Sequence, residues 1–331
     1  MKILLTGGIG YIGSHTLVEL LENNYEVVVI DNFFNSKKEV IENVKKITNK
    51  DFKFYEGNVC DKSILRKIFK ENKIDAVIHF AGYKAVGESV KKPLMYYRNN
   101  LDSTLSLLEI MDEFNCKNLV FSSSATVYGK PETLPIKESS PLSATNPYGE
   151  TKLVIETILK DLYKSDNEWN IVILRYFNPV GAHKSGLIGE NPNGIPNNLM
   201  PYIVKVATKE YDHLNIFGND YKTVDGTGVR DYIHVVDLAL GHVKAIEYIN
   251  KNCGLDVINL GTGKGYSVLE MVKAFEEAND INVPYEIQER RPGDIDACYA
   301  DVSYANEKLG FVAHKDLKDM CKDAYNYIKK Q

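Results

Sequence analysis

The sequence predicts an α/β protein in which a parallel sheet is covered by helices on both faces. Two patterns predict it: apolar, β-branched segments alternate with amphipathic ones through the first half of the chain, and a glycine-rich turn joins the first strand to the first helix. The apolar segments are continuous runs, which is typical of strands buried on both faces. The 331 residues and 44% hydrophobic content suffice for a sizeable core.

The order of these segments indicates right-handed strand–helix–strand crossovers, and therefore a Rossmann-type doubly wound parallel sheet. In the first half, the predicted strands are residues 2–5, 27–30, 52–55, 77–80, 119–122 and 171–174. The predicted helices are residues 11–23, 38–47, 62–71, 99–114 and 148–163.

The regular alternation ends after residue 174. Residues 178–201 are rich in Gly, Pro and Asn, and a connection of this length is usually functional or disordered. We predict a Rossmann domain over 1–177 and a smaller mixed α/β C-terminal substrate domain over 178–331, from which segments such as 230–250 return to the first domain. The predicted strands of this second part are 257–260 and 285–288, and its helices are 236–250 and 268–279.

Composition narrows the class of partner. The formal net charge of −5 and the lack of a basic run argue against nucleic acids and anionic membranes. We expect no membrane span and no secretory leader. The five cysteines show no C-x-x-C spacing and the seven histidines no metal-ligand spacing, so we expect reduced thiols, a cytoplasmic location and no metal.

The glycine-rich turn has the spacing of a dinucleotide loop, with Gly7, Gly10 and Gly13 in TGGIGYIG. Gly7 permits a tight turn, Gly10 allows the backbone to approach a pyrophosphate, and Gly13 allows close helix–strand packing. A helix N-terminus then faces the anion. A glycine turn without a ligand is the alternative, but the strand before it and the helix after it favour the dinucleotide.

Asp31 ends the second predicted strand, where a carboxylate can accept both ribose hydroxyls. It would repel a 2′-phosphate, so we expect NAD rather than NADP. Asn32, Asn35 and Ser36 are candidates for further ribose or phosphate contacts. The alternative is that Asp31 caps a helix or turn.

Tyr148 and Lys152 are four residues apart, so they share one face of a helix. A Lys ammonium beside a phenol favours the phenolate and lowers its pKa. The phenolate can then take a proton from an alcohol while a hydride leaves the same carbon. Ser124, at the end of a predicted parallel strand, can bind the same oxygen. Alone, Tyr-x-x-x-Lys is as well explained by an exposed helix face.

Taken together, these motifs resemble the extended short-chain dehydrogenase/reductase family, and within it the enzymes that epimerise UDP-sugars at C4. The resemblance covers almost the whole chain. It rests on DNFFNS, HFAGYKAVGES, SSSATVYG, NPYGETK, LRYFNPVGAH, GIPNNLMPYI, IFGNDY, DGTGVRDYIHV and RRPGDIDA.

The resemblance implies a permanently bound NAD. Asn58 departs from the family, which usually has Asp there to bind the adenine amino group, but an amide carbonyl can also accept that bond. The implied cofactor contacts are Gly7, Gly10, Tyr11, Ile12, Gly13, Asp31, Asn32, Asn35, Ser36, Asn58, Val59, Phe80, Ala81, Gly82, Lys84, Asn99, Ser122, Tyr148, Lys152 and Phe177.

For the substrate, the resemblance implies a UDP-hexose whose diphosphate meets Arg230 and Arg291 and whose ribose meets Asp294. Surface ion pairing is the alternative for these charges. The implied substrate contacts are Lys84, Ser124, Tyr148, Asn178, Asn198, Leu199, Asn215, Ile216, Phe217, Arg230, Tyr232, Arg291, Asp294 and Cys298. The implied catalytic residues are Tyr148, Ser124 and Lys152.

The reaction implied is the interconversion of UDP-galactose and UDP-glucose through a 4-keto sugar. Cys298 occupies a position where a bulky Tyr limits family members to plain hexoses. A small residue there implies that N-acetylated UDP-hexosamines are also accepted, unless Cys298 is merely a small core residue.

Other functions fit parts of the pattern. A 4,6-dehydratase needs an Asp-Glu pair after the strand-end hydroxyl, where this chain has Ala125 and Thr126. A net oxidoreductase needs exchangeable NAD, and a non-catalytic NAD sensor typically lacks the Tyr or Lys.

Two further patterns have ordinary explanations. NLGTGKGYS (residues 259–267) resembles a second nucleotide loop, but its spacing predicts a turn with Ser267 as the helix N-cap. Apolar stripes in residues 101–108 and 154–162 are core stripes by default. The resemblance implies that such helices form a homodimer.

Overall fold

A computed structural model describes residues 1–192, 196, 198–251, 253–291 and 293–331. Its centre is a sheet of seven parallel strands in the order β10-β6-β5-β4-β1-β2-β3. These strands are β1 (Lys2–Thr6), β2 (Glu26–Asp31), β3 (Lys53–Glu56), β4 (Ala76–His79), β5 (Asn118–Ser124), β6 (Asn170–Tyr176) and β10 (Leu255–Leu260). The predicted doubly wound α/β fold is confirmed.

Eleven α-helices are present in the described parts of the chain. They are α1 (Tyr11–Glu22), α2 (Glu39–Thr48), α3 (Lys62–Glu71), α4 (Val86–Lys91), α5 (Pro93–Glu113), α6 (Pro147–Ser165), α7 (Leu199–Ala207), α8 (Val235–Ile249), α9 (Val268–Asn279), α10 (Ser303–Leu309) and α11 (Leu317–Lys329). A short 3-10 helix, Ala125–Tyr128, follows β5 directly.

Two apolar clusters cover the two faces of the main sheet, as the continuous apolar strands predict. In one cluster, Leu17 of α1 and Ile246 of α8 are both completely buried. In the other, Leu107 of α5 and Leu159 of α6 are completely buried. The sequence after residue 177 thus contributes both a strand, β10, and a covering helix, α8, to the main sheet.

Two small sheets lie outside the main one. β9 (Val229–His234) is at the centre of the larger, and pairs with β7 (Asn178–Val180), β11 (Gly265–Ser267) and β13 (Ala297–Cys298). The smaller pairs β8 (Leu214–Phe217) with β12 (Tyr285–Gln288) in parallel. α7, α9 and α11 pack around them on a third apolar cluster that includes Ile203, Met271 and Met320.

The order of the strands in the main sheet indicates where a ligand can bind. β1 has β2 on one side and β4 on the other, so the chain winds outward from β1 in both directions. Ligands of such sheets bind beyond the carboxyl ends of the strands at this reversal. Within the described residues, no helix is both long enough and apolar enough to cross a bilayer.

Candidate functional site

The glycine loop after β1 has the backbone that the sequence predicts. Gly7 has a φ of +68°, a left-handed conformation in which a side chain would be strained. A Cβ on Gly13 would lie 2.4 Å from the Gly7 carbonyl oxygen, so α1 can approach the loop this closely only with glycine there. The loop is therefore compact and turns directly into α1.

The N-terminus of α1 is well suited to an anion. Its N-cap is Gly10, no side chain caps it, and no acidic residue stands in its first turn. The first N–H groups of the helix therefore point into the cleft together with the positive end of the helix dipole. This arrangement fits the pyrophosphate of a dinucleotide.

A long cleft runs from this loop to Tyr148. Phe177 does not line it, but packs in a separate apolar cluster with Cys298. The other predicted cofactor residues line the cleft: Gly7, Gly10, Tyr11, Ile12, Gly13, Asp31, Asn32, Asn35, Ser36, Asn58, Val59, Phe80, Ala81, Gly82, Lys84, Asn99, Ser122, Tyr148 and Lys152.

Asp31 is buried at the edge of the cleft and organises the loops around it. Its Oδ2 accepts the Ile9 N–H at 3.0 Å, and its Oδ1 accepts the Phe33 N–H and the Ser36 hydroxyl, both at 2.9 Å. A carboxylate has about four lone-pair sites, so one remains for a ribose hydroxyl. Both interpretations of Asp31, turn cap and ribose acceptor, are compatible with this geometry.

Asn58 forms a turn of its own, because its Oδ1 accepts the Cys60 N–H at 2.9 Å. From the sequence we expect this carbonyl to replace the usual Asp at the adenine. An amide oxygen has two lone pairs, so the intraloop bond leaves one for that contact.

Tyr148, Lys152 and Ser124 meet at the far end of the cleft. Lys152 is buried, its Nζ donates to the Ser122 carbonyl at 2.6 Å, and it lies 5.9 Å from the centroid of the Tyr148 ring. Tyr148 and Lys152 line the cleft, whereas Ser124 lies just outside its lining.

Burial has the largest effect on the pKa values of Tyr148 and Lys152. From the sequence we expect Lys152 to lower the pKa of Tyr148, yet burial raises that pKa, and hydrogen bonding to Ser124 acts against the rise. Burial also lowers the pKa of Lys152 to about 8, opposed by the charge of Glu156. The Lys152 ammonium lies 5.9 Å from the centroid of the Tyr148 ring, and the expected lowering of the Tyr148 pKa by Lys152 is not seen against the effect of burial.

Sequence reasoning did not find several residues that line the cleft. Glu190 accepts the Lys84 ammonium at 3.2 Å and the Asn198 amide at 2.9 Å, and Tyr327 approaches the cleft from α11. Tyr176 completes this group, whereas Tyr83 lies within residues 80–84, which the resemblance implies as cofactor contacts. No local pattern marks Glu190 or Tyr327, because they reach the cleft only through the packing of distant parts of the chain.

The predicted diphosphate ligands are partnered within the protein. Arg291 Nε donates to Asp294 at 3.0 Å, and its guanidinium carbon lies 4.7 Å from the centroid of the Phe217 ring. Arg230 Nη1 donates to the carbonyls of Val229 and Ile295. The start of β9, which carries Arg230, lies beside the segment after Asp294, because the Val229 N–H donates to the Asp296 carbonyl at 2.8 Å.

Cys298 is buried and pairs in register with Arg230 across β13 and β9. It packs with Phe177, Val127 and Ile136, and burial raises the pKa of its thiol to about 11. A thiol with this pKa is protonated at neutral pH, so Cys298 is a small neutral side chain in this cluster.

The remaining predicted substrate residues are spread over the second part of the chain. Tyr232 and Ile216 are buried, Asn178 and Asn198 are exposed, Leu199 begins α7, and Asn215 accepts the Gln288 amide at 3.1 Å. Part of the segment between Asn178 and Leu199 lies outside the described residues.

The second glycine-rich segment, residues 259–267, leads into α9. Ser267 is the N-cap of α9 in a capping box with Glu270, so the turn interpretation of residues 259–267 is confirmed. In the described parts of the chain, no three His, Cys, Asp or Glu side chains are grouped so that they could hold a metal ion.

Known proteins match this chain over its full length. The family model described as GDP-mannose 4,6 dehydratase matches residues 4–324. The UDP-glucose 4-epimerase of Bacillus subtilis is 60% identical over 327 residues, which are 99% of this chain and 96% of that protein.

Solved structures show the same similarity as the sequences. The UDP-glucose 4-epimerase of Bifidobacterium longum, in complex with NAD+ and UDP, superposes with a TM-score of 0.96 at 55% identity, covering 100% of this chain and 98% of that one. The chain belongs to the UDP-glucose 4-epimerase family. The UDP-Glc/GlcNAc 4-epimerase of Campylobacter jejuni has a TM-score of 0.87 at 37% identity, covering 100% of this chain and 99% of that one.

Membership of the UDP-glucose 4-epimerase family confirms the resemblance and the prediction that the protein is an enzyme, an isomerase. The dehydratase description of the family model does not extend to the residues after Ser124. There Ala125 and Thr126 provide no carboxylates for an elimination.

Proposed function

We propose that this enzyme interconverts UDP-galactose and UDP-glucose through a 4-keto sugar, with NAD held in the cleft. One observation carries the proposal: a partly buried Tyr148 lies beside Lys152 and Ser124 at the end of a cleft that opens on an uncapped helix N-terminus. NAD and UDP in the Bifidobacterium longum homologue, at 55% identity, support both ligands.

In this mechanism, Tyr148 accepts the proton of the sugar 4-hydroxyl and later returns it to the other face of C4. The Ser124 hydroxyl orients the sugar oxygen toward Tyr148, and the Lys152 cation stabilises the phenolate. When bound, NAD accepts the hydride from C4 and gives it back. Between the two transfers, the 4-keto sugar turns about its diphosphate linkage.

NAD would be held by the α1 N-terminus at its pyrophosphate and by Asp31 at its ribose. UDP would be held by Arg230, Arg291 and Asp294. Binding energy concentrated on UDP leaves the hexose loosely held, as a turning intermediate requires.

We further propose that the enzyme accepts N-acetylated UDP-hexosamines. A cysteine is smaller than the tyrosine of family members limited to plain hexoses, and Cys298 packs in one cluster with Ala125 and Val127 of the 3-10 helix that follows Ser124, which supports this proposal. The Campylobacter jejuni homologue, named for both plain and N-acetylated substrates, supports this proposal.

The test is turnover of UDP-galactose and, separately, of UDP-N-acetylgalactosamine by purified protein without added NAD, with the products resolved by chromatography. Conversion of both supports epimerisation with retained NAD and an open site. Conversion of UDP-galactose alone contradicts the second substrate. Conversion of neither, even with added NAD, contradicts the proposed function.

Replacing Cys298 by Tyr should suppress the N-acetylated reaction by about a hundredfold, because the larger side chain would take the space that the acetyl group needs. Turnover of UDP-galactose should stay within about twofold. The control is Cys298→Ala, which should keep both activities. Cys116→Tyr is unsuitable as a control because Cys116 is buried in the main core. Equal loss of both activities in Cys298→Tyr would rule out the gate.

We also keep as proposals a homodimer, a cytoplasmic location and a division of the chain at residues 177 and 178. The homodimer is supported by exposed apolar residues on α5, where Leu94 is 82% and Leu105 is 41% exposed. Light scattering that gives a mass near 37.4 kDa, the mass of one chain, would contradict the dimer.

A further inference from the structure

A buried ion pair lies directly behind the proposed catalytic residues. Glu156 and Arg175 are 0% and 1% exposed. Arg175 meets Glu156 with two parallel bonds, from Nε to Oε1 at 3.0 Å and from Nη2 to Oε2 at 2.6 Å. A pair so fully removed from water is weak evidence of a gain in stability, since apolar residues of similar volume often serve as well. Its contacts indicate another role.

Glu156 connects the two elements that carry the catalytic groups. It stands on α6, one turn beyond Lys152 and two turns beyond Tyr148, so the three share one helix face. Its Oε1 also accepts the hydroxyl of Ser123 at 2.6 Å. Ser123 immediately precedes Ser124, so this bond fixes the end of β5 against α6.

Arg175 secures the segment on the other side of Ser124. Its Nη1 donates to the Tyr128 hydroxyl at 2.9 Å and to the Glu138 carbonyl at 3.1 Å. The Tyr128 hydroxyl donates in turn to Asn259 at 2.7 Å. The residues on both sides of Ser124 are thereby tied to one ion pair.

We propose that Glu156 and Arg175 are positioning residues that set the distance between Ser124 and the Tyr148–Lys152 face of α6. The pair touches neither the cleft nor its ligands and acts only through Ser123, Tyr128 and the helix. This inference rests on the proposed function for its kinetic consequence, but its structural and electrostatic consequences can be measured without turnover.

The pair also sets the local charge around Lys152. The negative charge of Glu156 raises the pKa of Lys152, against the effect of burial. Other titratable groups pack nearby on other elements: His79 on β4, Tyr176 on β6 and Tyr128 on the 3-10 helix. Burial lowers the pKa of His79 to about 3 and raises those of Tyr128, to about 12, and Tyr176. These three are neutral between pH 6 and 9. The partly exposed ammonium of Lys160, on the same helix, lies 3.8 Å from Glu156, so Glu156 and Arg175 are the buried charges of this group and Lys160 is a partly exposed one.

The first experiment removes one charge. In Glu156→Gln, the lost carboxylate and the unpaired Arg175 both disfavour the Lys152 cation, so its pKa should fall by about one unit. This is measured by NMR of protein labelled with 13C at lysine Cε, with the Lys152 signal identified by its absence in Lys152→Arg. Asp161→Asn, which removes an exposed acid from the same helix, should leave the Lys152 titration unchanged.

The second experiment removes both charges. In Glu156→Gln/Arg175→Met, the Lys152 titration and the pH profile of kcat should return to those of the wild type. The value of kcat should stay at least about tenfold lower, because the links to Ser123 and Tyr128 are gone. A purely stabilising pair would lower the melting temperature in both variants without moving the Lys152 titration in either.

The third experiment tests positioning in a variant that leaves the ion pair intact. Ser123→Ala removes only the bond to Glu156 and should lower kcat about fivefold with KM unchanged, whereas Ser106→Ala, a buried serine of α5, should have no effect.

Wild-type kcat in both Ser123→Ala and the double variant would overturn positioning. An unchanged Lys152 titration in Glu156→Gln would overturn the electrostatic part. Failure of the wild type to convert UDP-galactose would instead contradict the proposed function and leave the NMR result standing.

Discussion

The cofactor cleft and the proposed UDP-sugar side are built differently. In the cleft, polar groups are fixed by the main sheet: the glycine loop is rigid, Asp31 is held by three hydrogen bonds, and Lys152 is fixed to the Ser122 carbonyl. On the sugar side, the charged groups pair with one another or with backbone carbonyls, as Arg291 does with Asp294. One site is formed in advance, and the other must exchange partners when it binds.

This difference has an energetic meaning. A preformed site binds without ordering its own residues, so it retains its ligand. A site whose charges are already paired loses those contacts on binding, so its net gain in binding free energy is smaller. The comparison therefore predicts tight binding of NAD and reversible binding of a UDP-sugar.

The largest expected effect comes from the reacting group. Tyr148→Phe removes the proton acceptor and should lower kcat about a thousandfold, while bound NAD stays at the wild-type level. Turnover and the NAD content of purified protein measure the two quantities. Tyr285→Phe, at an exposed tyrosine, is the control. Loss of NAD together with activity would show that Tyr148 has a structural role.

A change in the preformed loop should affect the cofactor before the sugar. In Gly13→Ala the new methyl group meets the Gly7 oxygen and the Gly8 backbone, at 2.4 and 2.8 Å, so NAD binding should weaken about tenfold. NAD content after gel filtration measures this. Gly87→Ala, where a methyl group would meet nothing within 4 Å, should retain NAD. Full NAD content in Gly13→Ala would contradict a rigid, preformed loop.

The smallest effect should come from the sugar side. Arg291 is about half exposed and already paired, so Arg291→Ala should raise KM for UDP-galactose about fivefold and leave kcat and NAD content unchanged. Arg66→Ala removes a similarly exposed arginine from the distant pair with Glu113 and should change neither constant. A fall in kcat without a rise in KM would refute the diphosphate contact.

Local signals explain where sequence prediction succeeded. The predicted bounds of α3 and α9 match the structure because each helix begins after a side-chain cap, Asp61 and Ser267. The predicted start of α5 at residue 99 was six residues late. The helix begins at Pro93, where proline is favoured in the first turn, but a single proline after two lysines does not reveal how far the helix extends.

The residues of the site likewise divide into those that local sequence spacing marks and those that only packing brings together. The glycine loop, Asp31 and the Tyr148–Lys152 pair are marked by spacing along the chain. Glu190 and Tyr327 are not, because they reach the cleft from a connection and a C-terminal helix whose packing no local pattern specifies. For the same reason, the ion pair of Glu156 and Arg175 becomes visible only when α6 and β6 are placed side by side.

The position of β10 at the edge of the main sheet has a consequence for synthesis of the chain. β6 pairs with β5 as soon as both have emerged, but its other edge receives β10 only after residue 260. Until then β6 is the outer strand of the main sheet with one edge unpaired, and such edges invite pairing with other chains. Truncation before Leu255 should therefore yield aggregates rather than an independently soluble half. The final quarter of the chain is needed to protect the first half from association with other chains.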